Sequence, residues 1–415
     1  MTKKGADRTG MASTARLALS VGLASLALAA TRSAQAQSFT VLYDFSPPGP
    51  TFTSAGFIAD PAGNLYSASQ SGGTYGNGTI YELPAPNYSS PVVLYNFTGG
   101  TDGASPEGPL VRDPSGNLYG TTTFGGVSNC PKACGVVFVV STQEREKVLY
   151  AFTGGADGGG PIGGLVRDPD GNSYGTASLG GAANGCGGYG CGVIFELDRS
   201  GNETVLYTFS GGTDGGDPYA GLARDAAGNL YGTTMEGGSI SDCDGLGCGV
   251  VFKLDPLGNE TVLYTFSGGS DGGEPGAGAL LLDGSGNLYG TAEIGGDSPS
   301  CTYGGGCGVI YEVNPTGVET VLHAFGGNDG RLPEFGLVRD DKGNLYGETD
   351  FGGTFCPGGC GIIFRLTAAG SEEIVHDFDG TDGFAPGPLL LFKGFLYGAT
   401  YEGGTHGYGV AFKLP

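Results

Sequence analysis

The chain has 415 residues, 86 of them Gly and 23 Pro, and its 42 acidic against 19 basic residues give a net charge of −23. With 39% hydrophobic residues, 22 Phe and 21 Tyr it is too apolar to be disordered, so glycine must punctuate strands that can bury a core. So negative a surface repels nucleic acid and anionic membranes and attracts cations, which excludes nucleic-acid partners.

The first 36 residues stand apart. Lys3, Lys4, Arg8 and Arg16 precede the apolar run "LALSVGLASLALAA", and "SAQAQ" follows. A basic start, a short apolar run and a small-residue A-x-A site predict a signal peptide over residues 1–36, cleaved after Ala36. The run is too short to span a membrane comfortably. No Cys lies near the cleavage point to carry a lipid, and no second apolar run closes the chain. The expectation is an exported, soluble monomer, periplasmic or extracellular, without a transmembrane segment.

From residue 37 to 415 one unit recurs. "GNLY" or a near copy begins at Gly63, Gly116, Gly171, Gly228, Gly286, Gly343 and Gly394. "VLYxF" begins at Val41, Val93, Val148, Val205 and Val262, and decays to "VLHAF" at Val321 and "IVHDF" at Ile374. A period of roughly 55 residues is that of a propeller or solenoid. In the fourth copy, "AGLARD" reads as a first strand, "LYGTT" as a second, "GVVFKL" as a third and "ETVLYTF" as a fourth. "DxxGN" turns separate the first pair and the last, and suit tight hairpins because Gly and Asn tolerate positive φ.

Ten cysteines fall in the long loops between strands two and three as five close pairs: Cys130/Cys134, Cys186/Cys191, Cys243/Cys248, Cys301/Cys307 and Cys356/Cys360. Export and pairing predict five local disulfides pinning those loops, since a zinc site needs four ligands and no His accompanies the pairs.

The ends complete the architecture. Residues 37–415 open on "SFTVLYDF", a fourth strand without a blade, and close on a blade that lacks its fourth strand. Joined, they make one blade, which predicts an all-β, seven-bladed β-propeller of four-stranded antiparallel blades, closed by N- to C-terminal strand pairing. The glycines after Tyr in strand two (Gly120, Gly175, Gly232, Gly290, Gly347) are expected to admit a neighbouring blade.

"GLVRDPSGNLYGTTTFGG", followed by "CGVVF" and "VLYAFTGG", resembles the Gloeobacter/Verrucomicrobia ("GloVer") tandem repeat over nearly all of Phe39 to Pro415. The strand–turn–strand half is more distantly similar to NHL-like propeller repeats. The resemblance implies an exported repeat protein of the choice-of-anchor type, whose relatives carry C-terminal sorting or anchoring signals. It implies no established activity and supplies no catalytic residues.

Any site should lie on the face with long loops, where strand four leads to the next strand one and strand two to strand three. Asp102, Asp157, Asp214, Asp271, Asp329 and Asp382 recur there in "GGxDG"-like loops. They could ring a Ca²⁺ or a cationic ligand, although Asp-Gly repeated six times is favoured as turn chemistry. Departures from the repeat carry more information. At the end of strand two, Glu236, Glu293, Glu348, Asp350 and Glu402 form an acidic arc that could chelate a divalent cation or supply an acid/base pair, against plain solvation on an acidic surface. His323 and His376 replace the Tyr of "VLYxF" and read as structural; His406 stands alone in the last long loop. Arg112, Arg167, Arg224 and Arg339 end the innermost strands, where pairing with acidic neighbours is expected over anion binding.

Near-uniform repeats leave few unique side chains for chemistry, which favours a binding module for a protein, glycan or small molecule. No cofactor is required, though Ca²⁺ or another divalent cation would suit the carboxylates. The alternatives are a metal-dependent hydrolase or lyase on a sugar or lactone at the long-loop face, and a purely structural envelope protein. Catalysis is the lesser expectation, because no nucleophile–base motif is present.

Overall fold

Val250, Val251, Phe252 and Leu254 are all buried in the third strand of the fourth repeat, on both of its faces. A strand apolar on both faces belongs in a sheet covered on both sides. The computed structural model describes residues 38–415 except 129, 131–133, 182–185, 240–242, 297–300 and 302–304. The leader expected over residues 1–36 lies outside the described residues. No described helix is long and apolar enough to cross a membrane.

Seven antiparallel sheets form seven blades. Blade 4 runs outward through Ala223–Arg224, Leu230–Thr234, Val250–Leu254 and Glu260–Thr265. The other blades repeat this order. Blade 7 takes three strands from the C-terminus, Leu390–Phe392, Phe395–Glu402 and Val410–Leu414, and its outer strand, Thr40–Asp44, from the N-terminus. Thr40 pairs with Lys413 and Asp44 with Val410, so the ring closes as expected.

An aromatic pair marks every junction between blades. The Phe that ends one outer strand meets the ring on the next blade's third strand edge to face: Phe97–Phe138, Phe152–Phe195, Phe209–Phe252, Phe266–Tyr311, Phe325–Phe364, Phe378–Phe412 and, across the closure, Phe45–Tyr81. Centroids lie 5.0 to 5.7 Å apart, and such geometry adds about 1 kcal/mol to the area buried. This contact is why "VLYxF" recurs.

Two expectations about packing change in the structure. A Cβ on Gly232 would stand 2.6 Å from Phe252 Cζ and 3.0 Å from Leu222 Cδ2, both in its own blade, and Gly347 meets Phe364 and Leu337 alike. The strand-two glycine therefore makes room for the Phe paired across from it, not for a neighbouring blade. The inner-strand arginines do not primarily seek acids. Arg167 lies 3.7 Å over the Tyr119 ring, and Arg112, Arg224 and Arg339 over Tyr66, Tyr174 and Tyr289 of the preceding blades. Of the four, Arg339 also reaches Asp283, at 3.5 Å.

Opposite the long loops, the "DxxGN" turns are held by their aspartates. Asp225 accepts from the N–H and side-chain amide of Asn229 and from Tyr231 Oη. Burial raises its pKa, but these donors outweigh burial and hold it below the usual carboxylate range.

A candidate ligand site at the channel mouth

All five cysteine pairs, Cys130–Cys134, Cys186–Cys191, Cys243–Cys248, Cys301–Cys307 and Cys356–Cys360, are disulfides, with Cα–Cα distances of 5.2 to 6.0 Å. They are the five local pairs expected, and their burial shows what each one ties together. The first cysteine of each pair is half-buried in its loop, but the second is not a loop residue open to a ligand. Cys134, Cys191, Cys248, Cys307 and Cys360 are all at most 2% exposed, two residues before strand three. In the last four pairs both cysteines join an apolar cluster at a blade junction, so the bond ties the loop to the core.

The disulfides bear on the site through the backbone. Gly160, Asp217, Glu274, Leu332 and Ala385 each enter a new blade with φ between 50 and 60° and donate an N–H to the carbonyls of Cys134, Cys191, Cys248, Cys307 and Cys360 of the blade before. Phe52 and Ser105 adopt the same left-handed backbone. L-residues resist it by on the order of 1 kcal/mol each. The second half of the clamp is a carbonyl: Phe52, Ser105, Gly160, Asp217 and Leu332 accept the N–H of Gln70, Thr123, Ser178, Met235 and Asp350 at the end of strand two.

This clamp brings two registers to one rim. One is the residue that follows the proline entering the inner strand of every blade but the first, among them Glu107, Tyr219 and Glu334; the other includes Gln70, Glu293, Asp350 and Tyr401. Together they surround a cavity of about 390 Å³ on the long-loop face, lined by Gln70, Glu107, Tyr219, Glu334, Asp350 and Tyr401. Its floor is the inner strands themselves. A Cβ at Gly278 would overlap the backbone nitrogen of Gly336, so neighbouring strands touch and narrow the channel. Among the described residues, no Lys, Arg or His lines the cavity.

The acids there are far from their ordinary state. Burial, then Glu334, pushes Asp350 up to about 9. Burial, Glu334 and Glu274 push Glu293 up to about 8. Glu348, 1% exposed, is raised well above the carboxylate range by burial and then by Asp350. Its Oε1 accepts from Phe335 N at 2.9 Å, while its Oε2 has no partner. Burial raises Glu107 as well. Burial and the charges of Glu107 and Glu334 raise the Tyr219 phenol, which stays a protonated donor. Buried like charges without a counter-charge either keep protons or take up a cation.

The structure divides the acidic arc. Glu348 lies two residues before Asp350 on one strand face, and Glu293 holds Asp350's register in blade 5, so these three share the mouth. Glu236 and Glu402 sit one residue further along and fall on the opposite face by strand alternation. Glu236 is raised by burial, while Glu402 is exposed. The "GGxDG" aspartates spend their oxygens inside their loops. Asp102 accepts from Thr98 N at 2.7 Å and Tyr95 Oη at 2.9 Å; Asp157, Asp214 and Asp271 repeat this pattern, and Asp329 and Asp382 take His323 and His376 in place of Tyr. Among the described residues, one set of three potential ligands lies close enough to share an ion: His323, Asp329 and Glu372, on the outer rim. His406 meets Asp44 there in blade 7, at 3.3 Å.

Glu107, Tyr219 and Glu334 escape a sequence reading confined to strand ends. Their signal was available: after the inner-strand proline the repeat reads Glu, Ile, Tyr, Gly, Glu and Gly, a changing position in a constant frame.

Fold and site together define a disulfide-linked repeat propeller with an acidic central pocket. The chain belongs to the Gloeobacter/Verrucomicrobia repeat family, whose profile matches residues 31–188 and 182–412. Among solved structures it is similar to the extracellular domain of a proposed hybrid two-component system from B. thetaiotaomicron, at 12% identity over 91% of this chain with a TM-score of 0.53. It spans 41% of that protein's chain, and at this identity the likeness concerns the fold alone. A proposed gluconolactonase aligns at 13% identity over 75% of this chain and 89% of its own, with a TM-score of 0.39, too low to support an argument. No curated protein matches the sequence.

Proposed function

We propose that the protein is an exported binding propeller whose ligand is a small organic cation, an amine or amino sugar, seated in the channel mouth. The carrying observation is the cavity: Glu107, Glu334 and Asp350 line it, Glu348 waits behind with an unpartnered oxygen, and among the described residues no basic side chain lines it to offset them. An ammonium group would return these carboxyls to their ionised state, and the aromatic Tyr219 and Tyr401 line the same cavity. A metal-dependent hydrolase or lyase fits less well, because no three acids at the mouth come within shared-ion distance among the described residues. A purely structural role leaves the changing inner positions without a reason. Five disulfides suit an oxidising compartment, which supports export.

Titration calorimetry with glucosamine and 1,3-diaminopropane, against glucose as the neutral control, tests this. Saturable binding of the amines alone is expected, weakened about tenfold or more in Asp350→Asn, since one charge-assisted hydrogen bond is lost. Equal binding of glucose and glucosamine, or an unchanged Asp350→Asn, would overturn the reading.

A further inference from the structure

The repeat supplies its own control for a second site. At the outer edge of the long-loop face, a residue of the outer strand meets the Asp of the loop that follows in six of the seven blades. In Tyr95/Asp102, Tyr150/Asp157, Tyr207/Asp214 and Tyr264/Asp271 the Tyr hydroxyl donates to the carboxylate at 2.8 to 3.1 Å. A Glu from the next blade's outer strand leans on each pair: Glu146, Glu203, Glu260 and Glu319. Its Oε1 is buried and without a hydrogen-bond partner at each of these junctions.

Two junctions depart from this pattern, and they depart differently. His376 replaces Tyr at the blade 6–7 junction, but Phe39 stands where the Glu would be and stacks on the imidazole at 3.8 Å. There His376 Nε2 and Asp382 Oδ2 lie 2.8 Å apart, an ordinary charge-assisted hydrogen bond. At the blade 5–6 junction His323 replaces Tyr and the Glu is kept, as Glu372. Here alone among the six an imidazole faces two carboxylates, with one ligand atom from each within 4.8 Å of the others. His323 Nε2 and Asp329 Oδ2 are 3.2 Å apart, long for a charge-assisted hydrogen bond. It is close to the edge of a coordination tetrahedron with bonds of about 2.0 Å, roughly 3.3 Å.

We propose that His323, Asp329 and Glu372 bind a divalent transition ion, with Zn²⁺ the best match to one nitrogen and two oxygen donors, joining blade 5 to blade 6. A neutral imidazole and two carboxylates carry the charge such an ion cancels, and three protein ligands leave a position for water. The His323 ring is held edge-on to Phe325, centroids 4.9 Å apart, which aims Nε2 at the carboxylates. Glu372 Oε1 has no hydrogen bond to give up and is free to close on the ion. The location also suits a clamp, because radial blades diverge outward and touch least at their outer strands.

The test uses the purified, untagged protein, stripped with EDTA and returned to buffer, and titrated with ZnCl₂ by calorimetry and by thermal unfolding. One equivalent should bind and raise the midpoint saturably, as mass action requires for a native-state ligand. His323→Tyr restores the repeat's own residue, so it should fold normally, keep the metal-free midpoint and lose the Zn²⁺ response. Glu372→Gln should weaken binding at least about tenfold, whereas His376→Tyr and His406→Ala should leave it intact. An unchanged response in His323→Tyr, a loss in His406→Ala alone, or no binding by the wild type at about 1 mM Zn²⁺ would each overturn the proposal.

Discussion

Glu348 shows how one side chain departs from its repeat for a reason packing does not supply. The equivalent residues in blades 2 to 5 are Thr121, Thr176, Thr233 and Thr291, and in two of them the hydroxyl donates to the next blade's carbonyl, Thr176 to Ala220 and Thr291 to Phe335. Glu348 is as buried but larger and ionisable, with one oxygen unpaired. A carboxyl in that position costs stability, and a cost kept against a ready alternative usually serves binding. Glu348→Thr should therefore raise the stability of the ligand-free protein by about 1 kcal/mol and weaken amine binding at the mouth. Denaturant unfolding and calorimetry on the same variant check both halves. A destabilised Glu348→Thr would mean that the glutamate serves the core, not the site.

Within a blade, the strand-two glycine and the strand-three aromatic are one feature written in two places. A methyl on Gly232 would overlap the Phe252 ring, which is itself fixed against Phe209 of the previous blade. Gly232→Ala should cost about 1–3 kcal/mol by overpacking, read as a lower urea midpoint, and Phe252→Leu in the same chain should recover part of the loss. This coupling explains how much could be read in advance. Strands, turns, closure and disulfides follow from period, alternation and Cys spacing, all local properties. Spacing alone does not show that Cys134 and its equivalents sink into the core, because that depends on the blade packed against them. Glu293, Glu348 and Asp350 were legible as departures in a strand whose phase is known. Glu236 and Glu402 entered the same arc because a count along the chain ignores the face on which each side chain emerges. Glu107 and Glu334 sit behind left-handed residues that no strand phase reaches, and their approach to Asp350 is set by the clamp between blades. Tyr66, Tyr119, Tyr174 and Tyr289, likewise, take an arginine from the next blade, a contact across a junction that no spacing encodes.

Over the whole ring, two sets of carboxyls pull stability in opposite directions with pH. The turn aspartates, Asp60, Asp113, Asp168, Asp225, Asp283 and Asp340, have lowered folded pKa values despite burial, because backbone and Asn donors stabilise the ionised form. Their contribution is present above the ordinary Asp value of 3.8 and lost as pH falls through the folded one. The junction glutamates do the reverse. Burial, then Asp102, Asp214 and Asp271 respectively, raises Glu146, Glu260 and Glu319 from 4.5 to about 7. Between those values the native ring holds more protons than the unfolded chain, so this contribution is full below 4.5 and fades as pH rises through 7. Glu293 and Asp350 extend the loss to about 8 and 9 in the ligand-free protein. Stability should thus peak in mildly acidic solution, near about pH 5, and the thermal midpoint should fall steadily from there to about pH 9. In the triple variant Glu146→Gln, Glu260→Gln, Glu319→Gln the fall between about pH 5 and 7 should flatten, while the acid limb below about pH 4 stays as in the wild type. Glutamine keeps the shape of each junction and can donate to the aspartate beside it, so the variant separates titration from packing. A slope as steep in the triple variant as in the wild type would move the pH dependence out of the junctions and into the mouth, where saturating the protein with an amine should then abolish it.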